Sequence, residues 1–376
     1  MTQAVELQAD PLAAPDRVHM ARALELAARG LYTTDPNPRV GCVLVREGEV
    51  IAEGWHARAG EPHAEVVALR AAGPRARGAS VYVTLEPCSH TGRTPPCADA
   101  LIAAGVARVV CCSADPNPLV AGAGIKRLQS AGITVSVGVL AAEARDLNVG
   151  FFSRFERRRP WVRLKLAMSL DARTAPAAGG QLWISGEAAR ADVQHWRARS
   201  GAMLTGAGTV RVDDPRLDVR LTYGSWVRQP LRVLLDPMLT VPAGAKLFHG
   251  EGALVFAAPD APERSHPSAR IERLPRAAGG LDLRAVMARL GELEINELWV
   301  ECGARLAGSL MQSQLVDELV LYVAPTLLGA DAAPLMHWSG LGPPGSLPAF
   351  EFQDVRRIGA DLRLILTPKG SVKKAL

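Results

Sequence analysis

The sequence predicts an α/β protein of two domains. Helical and strand-like segments alternate along a chain of 376 residues, which is longer than one ordinary hydrophobic core requires. A stretch of mixed aromatic and charged residues, Phe151 to Pro160, interrupts the alternation, and we place the domain junction there. We therefore predict one domain over residues 1–155 and a second over residues 156–376. We interpret the arginine run at 157–159 as a solvated linker, with phosphate binding as the alternative.

In the first domain, apolar spacing and turn residues predict a three-layer α/β arrangement. Gly30 is a stop signal for the first helix. The predicted helices cover residues 16–29, 65–72, 98–104 and 125–131, and the predicted strands cover residues 40–45, 50–55, 81–85, 106–112 and 134–137.

The second domain repeats an α/β pattern after Pro160. Its predicted strands cover residues 161–167, 202–205, 231–235, 253–257, 298–301, 319–323, 350–356 and 362–366, and its predicted helices cover residues 187–199, 283–290 and 304–312. Glycine- and proline-rich stretches near residues 177–180, 219–228 and 340–347 predict long loops.

Composition and charge narrow the class of protein. Hydrophobic residues make up 48% and charged residues 22%, as in a globular protein of aqueous solution. The net charge of +5 is dispersed, which suits anionic small molecules as well as nucleic acid and does not indicate a dedicated nucleic-acid binder. No apolar run is long enough to span a membrane. Met1 to Asp10 does not resemble a signal peptide, so we expect a cytoplasmic protein whose six cysteines are thiols or metal ligands.

A group of potential metal ligands lies in the first domain. His63 and Glu65 lie at a predicted helix start, Cys88 follows a predicted strand, and Cys97 precedes the next helix. One histidine and two cysteines can hold zinc and leave a fourth position for a water, whose pKa zinc lowers. Glu65 is then the candidate to carry a proton between the water and a leaving amine. This pattern is typical of zinc deaminases, and the alternative is a surface histidine with core thiols.

Further segments around this pattern are more specific. In the first domain they are residues 36–42, 59–65, 84–97 and 115–118, and in the second they are residues 164–173, 183–185, 213–217 and 299–303. Eight residues separate Cys88 from Cys97, where two are usual in zinc deaminases. Together these segments resemble the family of bifunctional riboflavin-biosynthesis deaminase–reductases over roughly residues 17–367.

The resemblance implies a cytidine-deaminase-like three-layer α/β/α domain followed by a dihydrofolate-reductase-like α/β domain. It implies zinc on His63, Cys88 and Cys97, and NADPH in the second domain. The first reaction would deaminate 2,5-diamino-6-ribosylamino-4(3H)-pyrimidinone 5′-phosphate, and the second would reduce the ribosyl chain of the product to a ribityl chain. It also implies a homo-oligomer, a dimer or larger, that acts on a small molecule and has neither a nucleic acid nor a membrane as partner.

In the first domain the resemblance implies substrate contacts from Asn37, His56, His90 and Arg93. The asparagine amide can donate and accept hydrogen bonds to a base edge or a ribose hydroxyl. The Arg93 guanidinium can hold a phosphate through two hydrogen bonds. The alternatives are loop packing for the two histidines and a turn between prolines for Asn37.

The clearest local feature of the second domain is a strand that ends at Glu301 and is followed by a glycine-containing turn and a helix. Such a turn can bring backbone N–H groups to a phosphate, although a plain strand–helix connection explains it equally well. The Rossmann glycine fingerprint is not found here. The resemblance assigns NADPH contacts to Ala167, Trp183, Thr209, Asp213, Gly303, Ala304, Arg305, Leu306, Ala307, Gly308 and Ser309.

The resemblance also implies substrate contacts in the second domain from Lys165, Gln181, Arg197, Leu217, Arg220 and Glu301. The two arginines suit a 5′-phosphate, and Lys165 and Glu301 suit ribose binding and protonation. Each of three residues also has an alternative without a ligand. Lys165 could be a strand residue with a solvated ammonium group, Arg197 an exposed charge on a helix, and Trp183 a core residue. Ala172 and Cys302 depart from the family, which more often has glycine at the first position and a small residue at the second.

Two other functions compete with a bifunctional enzyme. A deaminase that acts on a flipped base of a nucleic acid fits the metal motif, but aromatic residues make up only 5% and no dense basic stripe accompanies them. A second domain that only mediates dimerisation is the other alternative.

Overall fold

The computed structural model describes residues 14–89, 96–177, 183–221, 227–277, 279–338, 340–343 and 347–370. The chain divides into two compact units, and the division falls between Arg157 and Arg158. Within the described residues, no helix combines the length and the apolar character that crossing a membrane requires.

The N-terminal unit is a sheet between two layers of helices. Its described helices are α1 (Ala14–Ala28), α2 (Ala64–Ala72), α3 (Cys97–Ala104), α4 (Ala123–Ser130), α5 (Ala141–Leu147) and α6 (Val149–Arg157), with a 3₁₀ turn at Gly73–Ala76. Its strands are β1 (Gly41–Arg46), β2 (Glu49–Trp55), β3 (Ser80–Val83), β4 (Arg108–Cys111) and β5 (Thr134–Val137). Their order is β2-β1-β3-β4-β5; β1 is antiparallel to β2 and β3, and β3, β4 and β5 are parallel.

Two apolar clusters hold the helices on the two faces of this sheet. Leu101 of α3 and Leu128 of α4 are fully buried on one face, and Met20 and Leu26 of α1 are fully buried on the other. Gly54 of β2 allows α2 to lie close, because a Cβ there would come within 2.4 Å of the Ala64 carbonyl oxygen. The start of α2, which carries His63 and Glu65, is thereby seated directly against the sheet.

The structure corrects the interpretation of the arginine run at 157–159 as a solvated linker, because the run begins inside a helix and Arg159 is paired. Most of the stretch at 151–160 belongs to α6, where Phe151 and Phe152 are buried. Arg159 is not solvated either, because its guanidinium donates to the Asp317 carboxylate at 2.8 Å. The mixture of aromatic and charged residues is the two-sided pattern of an amphipathic helix, which is too short here to show a clear period.

The C-terminal unit is built on a larger sheet. Its described helices are α7 (Glu187–Arg199), α8 (Ala207–Asp213), α9 (Leu283–Glu292) and α10 (Ala304–Gln312), with a 3₁₀ turn at Lys246–Phe248. Its strands are β6 (Trp161–Ser169), β7 (Arg173–Ala175), β8 (Ala202–Gly206), β9 (Leu231–Leu235), β10 (Ala253–Ala257), β11 (Ala269–Arg273), β12 (Arg276–Ala277), β13 (Gly280–Leu281), β14 (Glu297–Glu301), β15 (Glu318–Ala324), β16 (Ala333–Pro334), β17 (Phe350–Ile358) and β18 (Asp361–Pro368).

The main sheet of this unit is largely parallel. Within the described residues its order is β11-β10-β9-β8-β14-β6-β15-β18-β17, and β18 is antiparallel to β15 and β17. Helices α9 and α10 pack on one face, and α7 and α8 pack on the other. Because β14 lies between β8 and β6, the carboxyl ends of these three parallel strands meet at one edge, the usual place for a ligand in an open α/β sheet.

Candidate active sites

The three predicted zinc ligands converge in the N-terminal unit. His63 immediately precedes α2, Cys97 is the first residue of α3, and Cys88 follows β3. Their ligand atoms all lie within 4.8 Å of one another. His63 Nδ1 is 3.2 Å from Cys97 Sγ and 3.6 Å from Cys88 Sγ. One imidazole nitrogen and two sulfurs are a donor set that zinc prefers, and three protein ligands leave a position for a reacting molecule, so these residues fit the metal.

The two cysteines of this cluster differ in protonation. The hydrogen bond with Cys97 lowers the pKa of the Cys88 thiol to about 4, and the same hydrogen bond raises the pKa of Cys97. The Cys97 backbone N–H also donates to Cys88 Sγ at 3.3 Å. Because the thiolate is the form of cysteine that binds metal, Cys88 is prepared to do so.

Glu65 lies in the first turn of α2, beside the cluster. Its side chain is buried, and burial raises the pKa of its carboxyl group. A carboxyl group with a raised pKa can accept a proton and return it near neutral pH, as a proton carrier must.

Asn37 and His56 are linked to each other beside His63. His56 Nδ1 is 3.1 Å from the Pro62 carbonyl oxygen, and His56 Nε2 is 3.1 Å from Asn37 Nδ2. A carbonyl oxygen only accepts, so we assign the imidazole proton to Nδ1, and Nε2 then accepts from the Asn37 amide. Burial lowers the pKa of His56, which favours this neutral form. The His56 and His63 ring centroids are 5.5 Å apart, so both predicted contacts lie near the metal ligands.

The other two substrate contacts expected in this domain, His90 and Arg93, lie outside the described residues. Sequence reasoning assigned no role to Asp115, which lies between β4 and α4. Burial raises the pKa of Asp115 to about 6, and the negative charges of Glu86 and Cys88 act in the same direction. Its position after a strand parallel to β3, at the same edge as the Cys88 loop, was the signal that could have found it.

In the C-terminal unit, Lys165, Glu301 and Arg197 form a charged cluster. Glu301 is the last residue of β14, and the strand register places it beside Lys165 of β6. Arg197 of α7 donates to both Glu301 oxygens, from Nε at 2.8 Å and from Nη2 at 2.9 Å. Trp299 Nε1 donates to the same carboxylate at 2.8 Å. Three segments distant in sequence thus meet at the carboxyl edge of the sheet.

The charges of this cluster are strongly coupled. Burial acts to raise the pKa of Glu301, but Arg197 and Lys165 outweigh it and hold that pKa at about 2. Burial lowers the pKa of Lys165, while Glu301 opposes the change. The cluster therefore offers a fixed acceptor and a nearby nitrogen that can release a proton more readily than an ordinary lysine.

Arg197 is placed differently from the expectation that it binds phosphate. Its Nη1 donates to the Asp218 carbonyl oxygen at 3.0 Å, while its other donors face Glu301. Arg220, the other arginine of the predicted pair, has a 60% exposed side chain, and its Nε lies 3.5 Å from Asp218 Oδ1. A phosphate in solvent can therefore reach Arg220, whereas the guanidinium of Arg197 is already bonded to Glu301 and Asp218. Gln181 lies outside the described residues.

Part of the predicted NADPH set lies at the starts of two helices. The Gly303 backbone N–H donates to Thr209 Oγ1 at 3.1 Å, which links the start of α10 to α8. Gly303 is exposed and has no side chain to satisfy the first N–H groups of α10, so this helix start fits a phosphate of the cofactor. Asp213 ends α8, and Ala167 is a half-buried residue of β6.

Most of the remaining members of that set lie in the first turns of α10, where the sequence predicts a helix over 304–312. Ala304, Arg305, Leu306 and Ser309 are not buried, but Ala307 is buried in the core. A Cβ on Gly308 would come within 1.7 Å of the His337 carbonyl oxygen, so protein encloses this position. Leu217, expected at the substrate, is also a core residue.

Trp183 is exposed rather than part of the core, which was the alternative for it. Its side chain is 69% exposed, and the Arg190 guanidinium lies 5.1 Å from its ring centroid. Much of the indole surface therefore faces solvent, and one face of the ring already carries the Arg190 guanidinium.

Comparison with known proteins identifies the family. The chain is 50% identical to the "Riboflavin biosynthesis protein RibD" of Escherichia coli strain K12 over 362 residues, which cover 93% of this chain and 99% of the relative. The solved structure of Acinetobacter baumannii RibD, form 1, is 44% identical and matches with a TM-score of 0.88 over 94% of this chain and 99% of that chain. This chain belongs to the RibD family.

Both domains of the RibD family are present. Residues 14–113 match the cytidine and deoxycytidylate deaminase zinc-binding region, and residues 160–364 match the RibD C-terminal domain. A Thermotoga maritima structure named as a diaminohydroxyphosphoribosylaminopyrimidine deaminase/5-amino-6-(5-phosphoribosylamino)uracil reductase is 32% identical, with a TM-score of 0.83 over 94% of this chain and 99% of that chain.

These matches confirm the two-domain α/β fold and the function. The chain is a bifunctional enzyme of riboflavin biosynthesis, with a zinc-binding deaminase domain and an NADPH-dependent reductase domain. The expectation of a cytidine-deaminase-like domain followed by a reductase domain is confirmed as well.

Proposed function

We propose that the two sites act in succession on one phosphoribosyl pyrimidine, with the residues described above in defined roles. The first substrate is 2,5-diamino-6-ribosylamino-4(3H)-pyrimidinone 5′-phosphate, and its deamination yields 5-amino-6-(5-phosphoribosylamino)uracil. Reduction of the ribosyl chain then yields 5-amino-6-(5-phosphoribitylamino)uracil. The observation that carries this proposal is the convergence of His63, Cys88 and Cys97 beside a buried Glu65.

In the first step, Glu65 is the proton carrier. Zinc on the three ligands would supply the Lewis acidity that makes a water nucleophilic at neutral pH. The Glu65 carboxylate takes a proton as the water oxygen bonds to the ring carbon, and gives a proton to the amino nitrogen as the C–N bond breaks. Water and the amine are thus converted to a carbonyl and ammonia. Asn37, His56, His90 and Arg93 bind and orient the substrate.

In the second step, Lys165 and Glu301 act on the ribosyl group. NADPH would supply a hydride to C1′, so the reaction needs one proton on the oxygen released when the sugar ring opens. Lys165 Nζ is our candidate to donate that proton, because burial lowers the pKa of the Lys165 ammonium group. Glu301, held by Arg197, accepts a hydrogen bond from a ribosyl hydroxyl, and Arg220 binds the phosphate. Gln181, Leu217 and the NADPH set named above complete the proposed site.

The test is a product analysis of the purified protein with the diaminopyrimidine substrate, with and without NADPH. We expect the mass change of an amino group exchanged for a hydroxyl in both samples, and the further gain of two hydrogens only with NADPH. Deaminated product without NADPH oxidation would leave the second domain as a dimerisation module. No deamination by zinc-loaded protein would overturn the first step.

We also propose that the enzyme is a cytoplasmic homo-oligomer, a dimer or larger, that has neither a nucleic acid nor a membrane as partner. Phe352 and Val355 on the edge strand β17 are 65% and 57% exposed, which supports association through this edge. Light scattering after size exclusion tests the oligomer, and a monomer at micromolar concentration would overturn it. RNA binding that is tight and falls steeply with salt would instead favour a nucleic-acid deaminase.

A further inference from the structure

The loop that carries Cys88 has a neighbour with no assigned role. Glu86 lies two residues before the metal ligand, and its side chain is only 4% exposed. We propose that Glu86 is a positioning residue of the deaminase site, which fastens the Cys88 loop to the chain segment at residues 113–125. The proposal rests on the function proposed above only in taking Cys88 as a zinc ligand.

Four backbone N–H groups of that segment donate to the Glu86 carboxylate. Those of Asp115 and Gly122 donate to Oε2 at 3.0 and 2.9 Å. Those of Gly124 and Ile125 donate to Oε1 at 2.9 and 3.2 Å. A carboxylate has about four acceptor positions, so its capacity is filled by this one segment.

The arrangement replaces a helix cap. Helix α4 begins after Gly122, which has no side chain to accept the N–H groups of the first turn. Glu86 accepts two of them from a distant part of the sequence, and its negative charge suits the positive end of the helix. Such a cap ties two segments together, which a cap within the helix's own sequence would not do.

The backbone next to Glu86 is held against the same segment. The Glu86 N–H donates to the Ser113 carbonyl oxygen at 3.1 Å. The Pro87 carbonyl lies so close to Gly124 that a Cβ there would come within 1.9 Å of its oxygen. Pro87, the residue just before Cys88, therefore packs on the start of α4. Glu86 is hydrogen-bonded to the same segment through both its backbone N–H and its carboxylate.

The metal cluster needs such a tie at Cys88 in particular. His63 and Cys97 are placed by the starts of α2 and α3, whereas Cys88 lies in a loop after β3. The same tie also sets Asp115 beside the site, because the Asp115 N–H is one of the four donors. Glu86 thus acts through Cys88 and Asp115 and does not itself need to touch the substrate.

The first test is Glu86→Gln, which preserves size but turns an N–H₂ group toward N–H donors. We expect zinc release to a colorimetric chelator to become ~10–100-fold faster, the usual effect of losing a partner that orients a metal ligand. We also expect deaminase kcat to fall at saturating zinc, because the Cys88 sulfur would be misplaced even when the metal is bound. Glu49→Gln, a change at an exposed residue of β2, is the matched control and should leave both rates unchanged.

The reductase rate of the same samples checks the fold of the C-terminal unit, and far-UV circular dichroism against the wild type checks that of the N-terminal unit, which carries Glu86. A Glu86→Gln protein that releases zinc at the wild-type rate and keeps deaminase kcat would overturn the proposal, even if its melting temperature fell. If the wild type itself neither binds zinc nor deaminates, the proposed function fails instead, so the two failures are distinguishable.

A second measurement needs no variant. Amide hydrogen exchange in the wild-type full chain should be slow at Asp115, Gly122, Gly124 and Ile125, and zinc removal should speed it several-fold at these sites, since coupling between sites is reciprocal. Exchange at these four amides that does not respond to zinc, while the amides near His63 respond, would overturn the link between Glu86 and the metal.

Discussion

The two active sites are assembled over very different distances along the chain. In the deaminase site, His63 and Cys97 are 34 residues apart, and each lies at a helix start next to a short motif. In the proposed reductase site, Arg197 and Glu301 are 104 residues apart, and Lys165 joins them only through strand register. The first site is a local pattern closed by a few loops, and the second exists only when the parallel sheet has formed.

The two sites also differ in whether their charged side chains are already paired within the protein. The predicted zinc ligands form a compact donor set in which the lowered pKa of Cys88 favours the thiolate, the form that binds a metal cation. The reductase cluster instead pairs Glu301 with Arg197 inside the protein, so the negative charge of Glu301 already has a partner. We therefore expect changes in the first site to act on metal and proton transfer, and changes in the second to act also on the stability of the fold.

The largest expected effect is that of Glu65→Gln. An amide cannot carry the proton, so deamination should fall ~10²–10⁴-fold while zinc stays bound and supplied intermediate is still reduced. Deaminase and reductase rates with a zinc assay check this on one sample. Glu143→Gln on the exposed face of α5 is the control, and normal deamination by Glu65→Gln would remove Glu65 from the proton path.

The converse change is Lys165→Ala, which should spare deamination. Loss of a donor at the ribosyl group should lower the reductase kcat on the order of 10²–10³-fold. NADPH oxidation with the deaminated intermediate measures it, and Lys369→Ala, at an exposed lysine of the same unit, is the control. An unchanged rate would show that the proton has another source and that Lys165 is only structural.

The paired charge of Glu301 predicts a pH effect confined to the second unit. Its pKa is held at about 2, below the ordinary 4.5, so ionised Glu301 stabilises the fold above pH 4.5 and loses this contribution as pH falls toward 2. The contribution is about 3 kcal/mol. The unfolding free energy of wild type minus that of Glu301→Gln should shrink over this range. A difference that does not vary with pH would contradict the Arg197–Glu301 pairing.

The smallest expected effect tests a departure from the family. Ala172 has φ of +57°, in the left-handed region where a Cβ is strained by about 1–2 kcal/mol. Ala172→Gly relieves this strain but adds chain entropy, so we expect a net stabilisation of roughly 0.5–1 kcal/mol. Ala191→Gly within α7 should instead destabilise by about 1 kcal/mol. Denaturant titration measures both, and destabilisation by Ala172→Gly would contradict the strain.

Much of the fold was predictable, because buried strands and amphipathic helices have a clear period. The predicted helix at 187–199 and the predicted strands at 231–235 and 253–257 agree with the structure. The sequence did not reveal α5, α6 or α8. Helices α5 and α8 have only seven residues, about two turns, and the mixed aromatic and charged residues of α6 suggested a domain junction instead. The sequence also suggested that Arg197 is free to bind a phosphate. A single arginine on a helix gives no local sign of its ion-pair partner, Glu301, which lies on a distant strand.

What the sequence by itself determined is the chemistry of the deaminase site. The residue types and spacing of His63, Cys88 and Cys97 indicate a metal site, because the requirements of zinc for soft or borderline donors are strict, and the position of Glu65 two residues after His63 predicts its proton carrier. Only the tertiary structure decided how Glu86 caps a helix it is not part of, and how Glu301 is shared by Arg197, Trp299 and Lys165. The reason is physical: hydrogen bonds and ion pairs between distant segments depend on strand register and helix packing, which leave no local pattern.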